Sequence, residues 1–394
     1  MAAAVIDVDL ARDMEDAVGL DGYTQAYVLV RYHGTPVGHF WTDVRQGRIP
    51  AGALSREGLA AAQPALSRRW FERQLHWSRS SVGHPPSAAI AICTRDRPHD
   101  LTRALRAIIR IAGREHPLLV VDNRPTTGAT ADVVAAHPSV RYIREDTPGL
   151  NAARNRALRE AATDVVAFCD DDAVPETAWL DALRNGFDHP LVAGVAGLTL
   201  PLELETEAQE WFERVSPFGR GYFRHEFDPL HCTPQSAGQV GAGVNMAVRR
   251  DVVLALGGFD ERLDVGTPAR SGGDHELFAR LLAHGYRLVY DPAAVSWHLH
   301  RRTWPELRRT LEGYGTGVYA MWTGRVLERG DLAVLKQAAR WFFGAQLPQL
   351  AKSLAGRPTA MPRDLVLAEL TGCVKGPIAW FASARAHRAR RAAA

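Results

Sequence analysis

Between residues 87 and 302, short uninterrupted apolar runs alternate with stretches of helical periodicity. The runs are Ala88 to Cys93, Pro117 to Val121, Val140 to Ile143 and Val165 to Cys169, of the kind that form strands buried on both faces. Helices are predicted from about Asp100 to Ala112 and from Asn151 to Ala162, and another opens at Ser271 and runs to Gly285. A strand-like Arg287 to Tyr290 precedes an Asp291-Pro292 turn. Such alternation predicts a parallel α/β sheet with its site at the carboxyl ends of the strands.

The flanks read differently. Ala26 to Tyr32 and Val37 to Thr42 are strand-like runs around His33-Gly34-Thr35-Pro36, a hairpin pattern. A helical stretch from about Ser55 to Arg79 follows, interrupted by Pro64 and carrying Trp70, Phe71 and Trp77, and Ser81 to Pro86 reads as a linker. No chemistry is visible in this unit, and its aromatics read as core or docking surface. Beyond Thr303 the chain is helical, with Leu332, Leu335, Ala338, Ala339, Phe342, Phe343 and Leu347 at helical spacing. Packing of this row onto the central region is the first expectation; an interfacial helix lying on an anionic membrane is the second. The expected division is an N-terminal accessory unit over 1–85, a central domain over 86–302 and a helical extension over 303–394.

Composition narrows the class. With 46% hydrophobic and 23% charged residues, the 394-residue chain is that of a globular protein of two to three domains. A net charge of +3 gives no basic excess for a nucleic-acid partner, although Arg385, His387, Arg388, Arg390 and Arg391 form a basic tail that reads as frayed. Four scattered cysteines (Cys93, Cys169, Cys232 and Cys373) with no C-x-x-C pair argue against a zinc site or disulfide framework and fit a reducing cytosol. Residues 1–20 mix acids with small apolar residues and do not read as a signal peptide. No run reaches the ~18 apolar residues of a membrane span. The expected location is cytoplasmic, with peripheral contact at the inner face of a membrane through the C-terminal helices.

The chemistry gathers at strand ends. Asp170-Asp171-Asp172 follows a buried run, and like charges stacked there call for a positive partner. In an extended segment Asp170 and Asp172 share a face, a hard oxygen site suited to Mg²⁺ or Mn²⁺. Thr94-Arg95-Asp96-Arg97-Pro98 offers a hydroxyl and two guanidiniums for phosphate, and Asp122-Asn123 closes the next strand, where an aspartate can accept from a base N–H. Pro148-Gly149-Leu150 turns into a helix carrying Arg154 and Asn155. Asp274 opens another helix, where Ser271-x-x-Asp274 also fits a helix-capping box. His298 and His300 bracket Leu299. The small residues of Gly241-Ala242-Gly243-Val244-Asn245 permit close backbone approach, with Asn245 supplying an amide. The stretch from Leu202 to Gln239 is rich in aromatic, acidic and histidine residues, among them Trp211, Phe212, Phe218, Tyr222, Phe223, His225 and His231.

In this order, these motifs, with Gly273-Asp274-His275-Glu276-Leu277 and Trp297-His298-Leu299-His300, resemble a family 2 glycosyltransferase with the GT-A fold over about Ala88 to Arg302. The resemblance implies a Rossmann-like, mostly parallel sheet flanked by helices. It also implies inverting transfer from a nucleotide-diphosphate sugar (UDP, dTDP or GDP) to a glycan, lipid-linked or small-molecule acceptor, with roles in cell-wall or polysaccharide biosynthesis. Asp122 would hold the base; Thr94, Arg95, Arg97, Asn123, Arg154 and Asn155 would line the donor pocket. Asp170 and Asp172 would hold the metal, with His298 as a further ligand and Asp171 near the donor ribose or sugar. Asp274 would be the general base, with Glu276 as its fallback because Gly273 stands where the family commonly has an acid. Gly243, Asn245 and His300 would border the donor sugar or acceptor, and His300 with Arg301 and Arg302 could bind donor phosphate; the stretch from Leu202 to Gln239 would be the acceptor loop, its aromatic faces stacking on sugar. Two other readings stay open: a sugar-nucleotide nucleotidyltransferase, which should show a Gly-rich, Lys-bearing loop after the first strand, and an inert transferase-like binding module. No G-x-G-x-x-G follows the first strand to support a dinucleotide oxidoreductase.

Overall fold

The computed structural model describes residues 2–75, 84–357 and 360–393, so Trp77 and the 81–83 part of the expected linker lie outside the described residues. Three N-terminal strands, β1 (Ala3–Asp9), β2 (Gln25–Tyr32) and β3 (Thr35–Asp43), form one sheet in that order, followed by helix α1 (Ala51–Gln74). The β2–β3 hairpin turns through His33 and Gly34, both at positive φ, which matches the twist of a two-residue hairpin loop. Strand β1 was not foreseen; its mixed acidic and apolar sequence hides a parallel partner of β2. Pro64 lies inside α1 rather than interrupting it. Tyr27 and Leu29 pack into the same apolar cluster as the central strands, and Arg214 stacks 4.0 Å over Trp41, so this sheet is docked on its neighbour.

The central region holds β4 (Ala88–Thr94), α2 (Pro98–Ala112), β5 (Leu118–Asn123), α3 (Ala129–Ala135), β6 (Val140–Glu145), α4 (Leu150–Glu160) and β7 (Val165–Asp170). It continues with β8 (Ala173–Pro175), α5 (Trp179–Asn185), β9 (Val192–Pro201), α6 (Glu207–Val215), β10 (His225–Phe227), β11 (Asn245–Arg249), α7 (Arg250–Ala255), α8 (Gly273–Ala283) and β12 (Arg287–His298). The strands order as β10-β12-β9-β11-β7-β4-β5-β6, with β8 paired to β12. The expected parallel core is there: β7, β4, β5 and β6 run parallel. Beyond β7 the sheet becomes mixed, because β11 runs antiparallel to both β7 and β9. Strand β11 returns antiparallel to β9 after the connection through α6 and β10, and β8 pairs antiparallel with the distant β12. Strand β12 runs on through the expected Asp291-Pro292 turn as a bulge, with its register shifting between Asp291 and Val295.

After residue 303 come α9 (Trp304–Arg329), α10 (Ala333–Trp341), a π-helical turn (Phe342–Gln346), α11 (Leu347–Leu354) and α12 (Arg363–Ala393). Helices α9 and α12 meet backbone to backbone through glycines: a Cβ at Gly372 would fall 2.0 Å from the Glu312 carbonyl oxygen, and one at Gly315 2.4 Å from that of Glu369. Two expectations change here. The residues from Ala384 onward continue α12 rather than fraying. Leu332, Leu335, Phe342, Phe343 and Leu347 face solvent instead of packing on the central region.

Candidate active site

The acidic triplet sits where β7 ends and a turn begins, so extended geometry stops at Asp170 and does not carry Asp172 to the same face. Asp171 accepts from the Thr94 hydroxyl at 2.7 Å and from Arg97 at 2.7 Å. Asp172 is caged by Arg97 at 2.9 Å, Arg301 at 3.3 Å and His298 Nε2 at 3.2 Å. Burial opposes its ionisation, but His298, Arg301 and Arg97 outweigh that and hold it well below the usual carboxylate range. Burial and the neighbouring Asp172 charge push Asp171 up. The Asp170 carboxylate has no hydrogen bond or ion pair among the described residues, and the residue lines a cavity of about 630 Å³. Burial raises its pKa against the pull of Arg154.

The expected metal donors are therefore arranged unequally. Among the described residues no three such groups form a ready-made cation cluster. Asp170 fits a hard cation as a free oxygen donor at the cavity wall, and one or two carboxylates suffice for Mg²⁺ when water and phosphate complete its shell. Behind Asp172 runs a buried chain: His298 Nδ1 lies 3.0 Å from His300 Nδ1, and His300 Nε2 lies 3.0 Å from Glu213 Oε2. Phe218 packs against both imidazoles and Phe212 against His300. His300 is thus committed to its neighbours, and Arg302 pairs with Glu203, so neither is a free phosphate ligand. Glu213 gave no signal in the sequence, since it sits on an amphipathic helix like any other surface acid.

At the next strand ends, Asp122 accepts from the Tyr142 hydroxyl at 3.0 Å, while its other, buried oxygen has no partner at hydrogen-bond geometry, with Thr130 alongside. Arg95 stays largely exposed beside Asp96, whose carboxylate accepts from the Thr126 N–H at 2.9 Å. Asn123 is a clamp rather than an open contact, donating to the Thr147 carbonyl at 2.7 Å and accepting from the Gly149 N–H at 2.9 Å. Asn155 likewise spends its amide on Phe259 and Glu261.

Asp274 lies in the first turn of α8, whose N-cap is Gly272 with no side-chain cap, so the capping-box alternative fails. Its carboxylate instead accepts from the Gly243 N–H at 2.7 Å and the His275 N–H at 2.8 Å. Burial opposes ionisation, but His275, Arg154 and these two N–H groups outweigh it and lower the pKa. Gly243 must be small: a Cβ would stand 2.9 Å from Arg154 Nη2 and 3.1 Å from Asp274. Arg154 is buried, donating to Asp264 at 3.0 Å, with Asp264 held at φ +78°. Glu276, the fallback, turns away into ion pairs with Arg280 at 2.8 Å and Arg329 at 3.3 Å and lines neither cavity that Asp274 borders. Asn245 is also displaced from the cleft. It accepts from Trp179 Nε1 at 2.8 Å and donates to the carbonyls of Leu198 and Ala294 inside the sheet.

Asp274 stands on the wall shared by two cavities. One is the 630 Å³ space with Asp170, Asp264, Glu306, His298 and four arginines, Arg154, Arg270, Arg301 and Arg309. The other, about 1190 Å³, lies between α6 and the C-terminal helices and includes Trp211 and Phe218 of the expected acceptor loop. His225 and His231 of that loop point to solvent instead.

The description "Glycosyl transferase family 2" matches residues 89–256. A pre-mycofactocin glycosyltransferase of Mycobacterium tuberculosis is 32% identical over 243 residues, 56% of this chain and 46% of that protein. A glucosyl-dolichyl phosphate glucuronosyltransferase of Haloferax volcanii is 26% identical over 196 residues, 45% of this chain and 58% of that protein. The chain thus spans about half the length of the relatives it matches, 46% for the first. A solved mannosyltransferase of Pyrobaculum calidifontis, in complex with GDP-mannose and Mn²⁺, superposes with a TM-score of 0.50 at 18% identity, covering 79% of this chain and 94% of that one. The shared architecture is the GT-A fold, its mixed sheet flanked by helices.

Proposed function

We propose that this chain, which belongs to the family 2 glycosyltransferases through residues 89–256, moves a sugar from a nucleotide-diphosphate donor to an acceptor hydroxyl with inversion. The observation that carries the reading is Asp274: a carboxylate with a lowered pKa on the wall between a cavity of mixed arginines and carboxylates and a larger aromatic one. In this reading the smaller cavity takes the donor, with Arg301, Arg309 and Arg270 facing the diphosphate and Asp122, at the end of β5, receiving a base N–H. The acceptor oxygen bonds to the anomeric carbon as the bond to the diphosphate breaks, and Asp274 takes the hydroxyl proton. Asp170, with Asp172 and His298 beside it, would hold Mg²⁺ or Mn²⁺, which supplies charge neutralisation to the leaving diphosphate. Thr94 and Arg97 orient Asp171 and Asp172, and Asn123 sets the Thr147–Gly149 turn. Residues 1–85 act as an accessory unit, 86–302 as the transferase domain and 303–394 as a helical extension whose exposed apolar face rests on a membrane.

The test combines calorimetry and turnover. UDP, dTDP and GDP are titrated with and without Mn²⁺ into wild type, Asp170→Asn and Asp274→Asn. One nucleotide should bind with Mn²⁺, more weakly in Asp170→Asn. Asp274→Asn should bind it normally yet lose transfer by about 10²- to 10⁴-fold, the usual worth of a general base. A folded protein that binds none of the three refutes the reading.

A further inference from the structure

A buried line of four side chains runs back from the acidic triplet to α6, and its protons can be counted. Asp172 Oδ1 lies 3.2 Å from His298 Nε2, His298 Nδ1 lies 3.0 Å from His300 Nδ1, and His300 Nε2 lies 3.0 Å from Glu213 Oε2. None of the four side chains is more than 8% exposed. Three such contacts need three protons, and two neutral imidazoles carry only two. At the Asp172 end, Arg97 and Arg301 already hold the carboxylate ionised, and they oppose a further positive charge on His298. At the other end no arginine or lysine pairs with Glu213 among the described residues. Glu213 faces His300 and, from β2 and the segment after α6, Tyr27 and Tyr222, whose phenols burial keeps neutral. His300 in turn feels His298, Asp172 and Arg301. The third proton therefore belongs on Glu213, in keeping with the rise that burial gives its carboxyl.

The line then has two registers. In the first, the Glu213 hydroxyl donates to His300 Nε2, His300 Nδ1–H to His298 Nδ1, and His298 Nε2–H to Asp172. Here Nε2 of His298, the nitrogen that faces Asp172, has no lone pair to give a cation. In the second, the His298 proton is on Nδ1 and donates to His300 Nδ1, and the His300 proton is on Nε2 and donates to Glu213. That register frees His298 Nε2, and it needs Glu213 as an ionised acceptor at its far end. We propose that Glu213 is a positioning residue for the metal site: through His300 it sets which nitrogen of His298 carries the proton, and cation binding at His298 reverses the line and releases the Glu213 proton to solvent. Each imidazole keeps one proton throughout, so one proton leaves the line for each cation that enters. This inference deepens the metal reading of Asp170, Asp172 and His298 and rests on it.

Calorimetry on the full chain tests it. Mn²⁺ is titrated at pH 7 into wild type and Glu213→Gln in Pipes and in Tris, whose different ionisation enthalpies count the protons released. The glutamine serves both registers, donating from its amide nitrogen or accepting through its oxygen, without gaining or losing a proton. Wild type should therefore release about one proton more per Mn²⁺ than Glu213→Gln, because protons from Asp170 or Asp171 are common to both. Its Mn²⁺ affinity should also rise with pH more steeply than the variant's, by up to about tenfold per unit, until the carboxyl ionises near 8. A packing role alone would weaken binding without changing the count. Equal proton counts in the two proteins overturn the inference. Should Glu213→Gln fail to fold, nitrogen-15 spectra of the wild type decide. His298 should carry its proton on Nε2 and His300 on Nδ1 in the chelated protein, and Zn²⁺ should move both to the other nitrogen; tautomers that Zn²⁺ leaves unchanged overturn it. If wild type binds no Mn²⁺ even with UDP, dTDP or GDP present, the metal reading beneath falls as well.

Discussion

Glu213 and His300 face each other 3.0 Å apart in a site closed to water, and burial drives both toward their neutral forms. It raises the Glu213 carboxyl to about 8, and it lowers the His300 imidazole well below its ordinary 6.5, helped by His298. The consequences for stability have opposite signs. A raised carboxyl contributes stability that is present below its unfolded value of 4.5 and is lost as pH rises through about 8. A depressed histidine contributes stability that is present above 6.5 and is lost as pH falls below it. Between pH 6.5 and 8 Glu213 therefore acts alone of the pair. Wild-type Tm should fall across that window, and in Glu213→Gln the fall should flatten. Equal slopes for the two proteins in a calorimetric pH series would show that Glu213 is already ionised when folded.

At the scale of elements, the bulge in β12 explains why Asn245 is not in the cleft. The bulge leaves the Ala294 carbonyl without a ladder partner, and Asn245 Nδ2 satisfies it at 2.9 Å while also reaching Leu198 of β9 at 3.0 Å. Gly197 makes room, since a Cβ there would lie 2.2 Å from the Ala294 oxygen and 2.6 Å from Asn245 Nδ2. Replacing Asn245 by Leu leaves those carbonyls and the Trp179 N–H unsatisfied. It should cost about 3 kcal/mol or more, read as a lower urea midpoint. An unchanged midpoint would mean the amide does not staple β9 to β12. The same case marks the limit of legibility. Continuous apolar runs announced β4, β5 and β7, because a strand covered on both faces has one simple signature. Strand β12 was cut short at Asp291-Pro292, because a bulge is set by its neighbours in space. The motif aspartates were visible for the same reason as the runs, being local. The Arg97, Arg301 and His298 cage around Asp172 arises from tertiary contacts that no spacing encodes, whereas the pairing of Glu276 with Arg280 is an i,i+4 contact within α8 that spacing allows.

For the whole molecule, the unsettled question is what covers its outer helices. Helix α12 has the length and composition to cross a membrane, yet 39% of its most apolar window is buried, and its glycines lock it against α9. It therefore reads as a packed helix with one apolar side left open, where Leu367, Val374, Ile378 and Phe381 are exposed. The α10–α11 segment adds Leu335, Phe343, Leu347 and Leu354 to the exposed apolar surface. Between residues 333 and 360 the sequence carries Lys336, Arg340, Lys352 and Arg357 and no acid. Apolar side chains interleaved with cations suit the boundary of an anionic bilayer, where each basic residue contributes roughly 1 kcal/mol near the surface. The same helices wall the larger cavity through Trp341, Ala345 and Gln349, so membrane contact would bring that cavity close to lipid-borne acceptors. The protein should co-sediment with phosphatidylglycerol vesicles and far less with phosphatidylcholine, and the binding should weaken as salt is raised. Leu335→Asp with Phe343→Asp should abolish it while leaving nucleotide binding intact, because both side chains already face solvent in the folded protein. Equal sedimentation of the double variant, or no sedimentation of wild type, would return these helices to the role of a soluble partner's docking face.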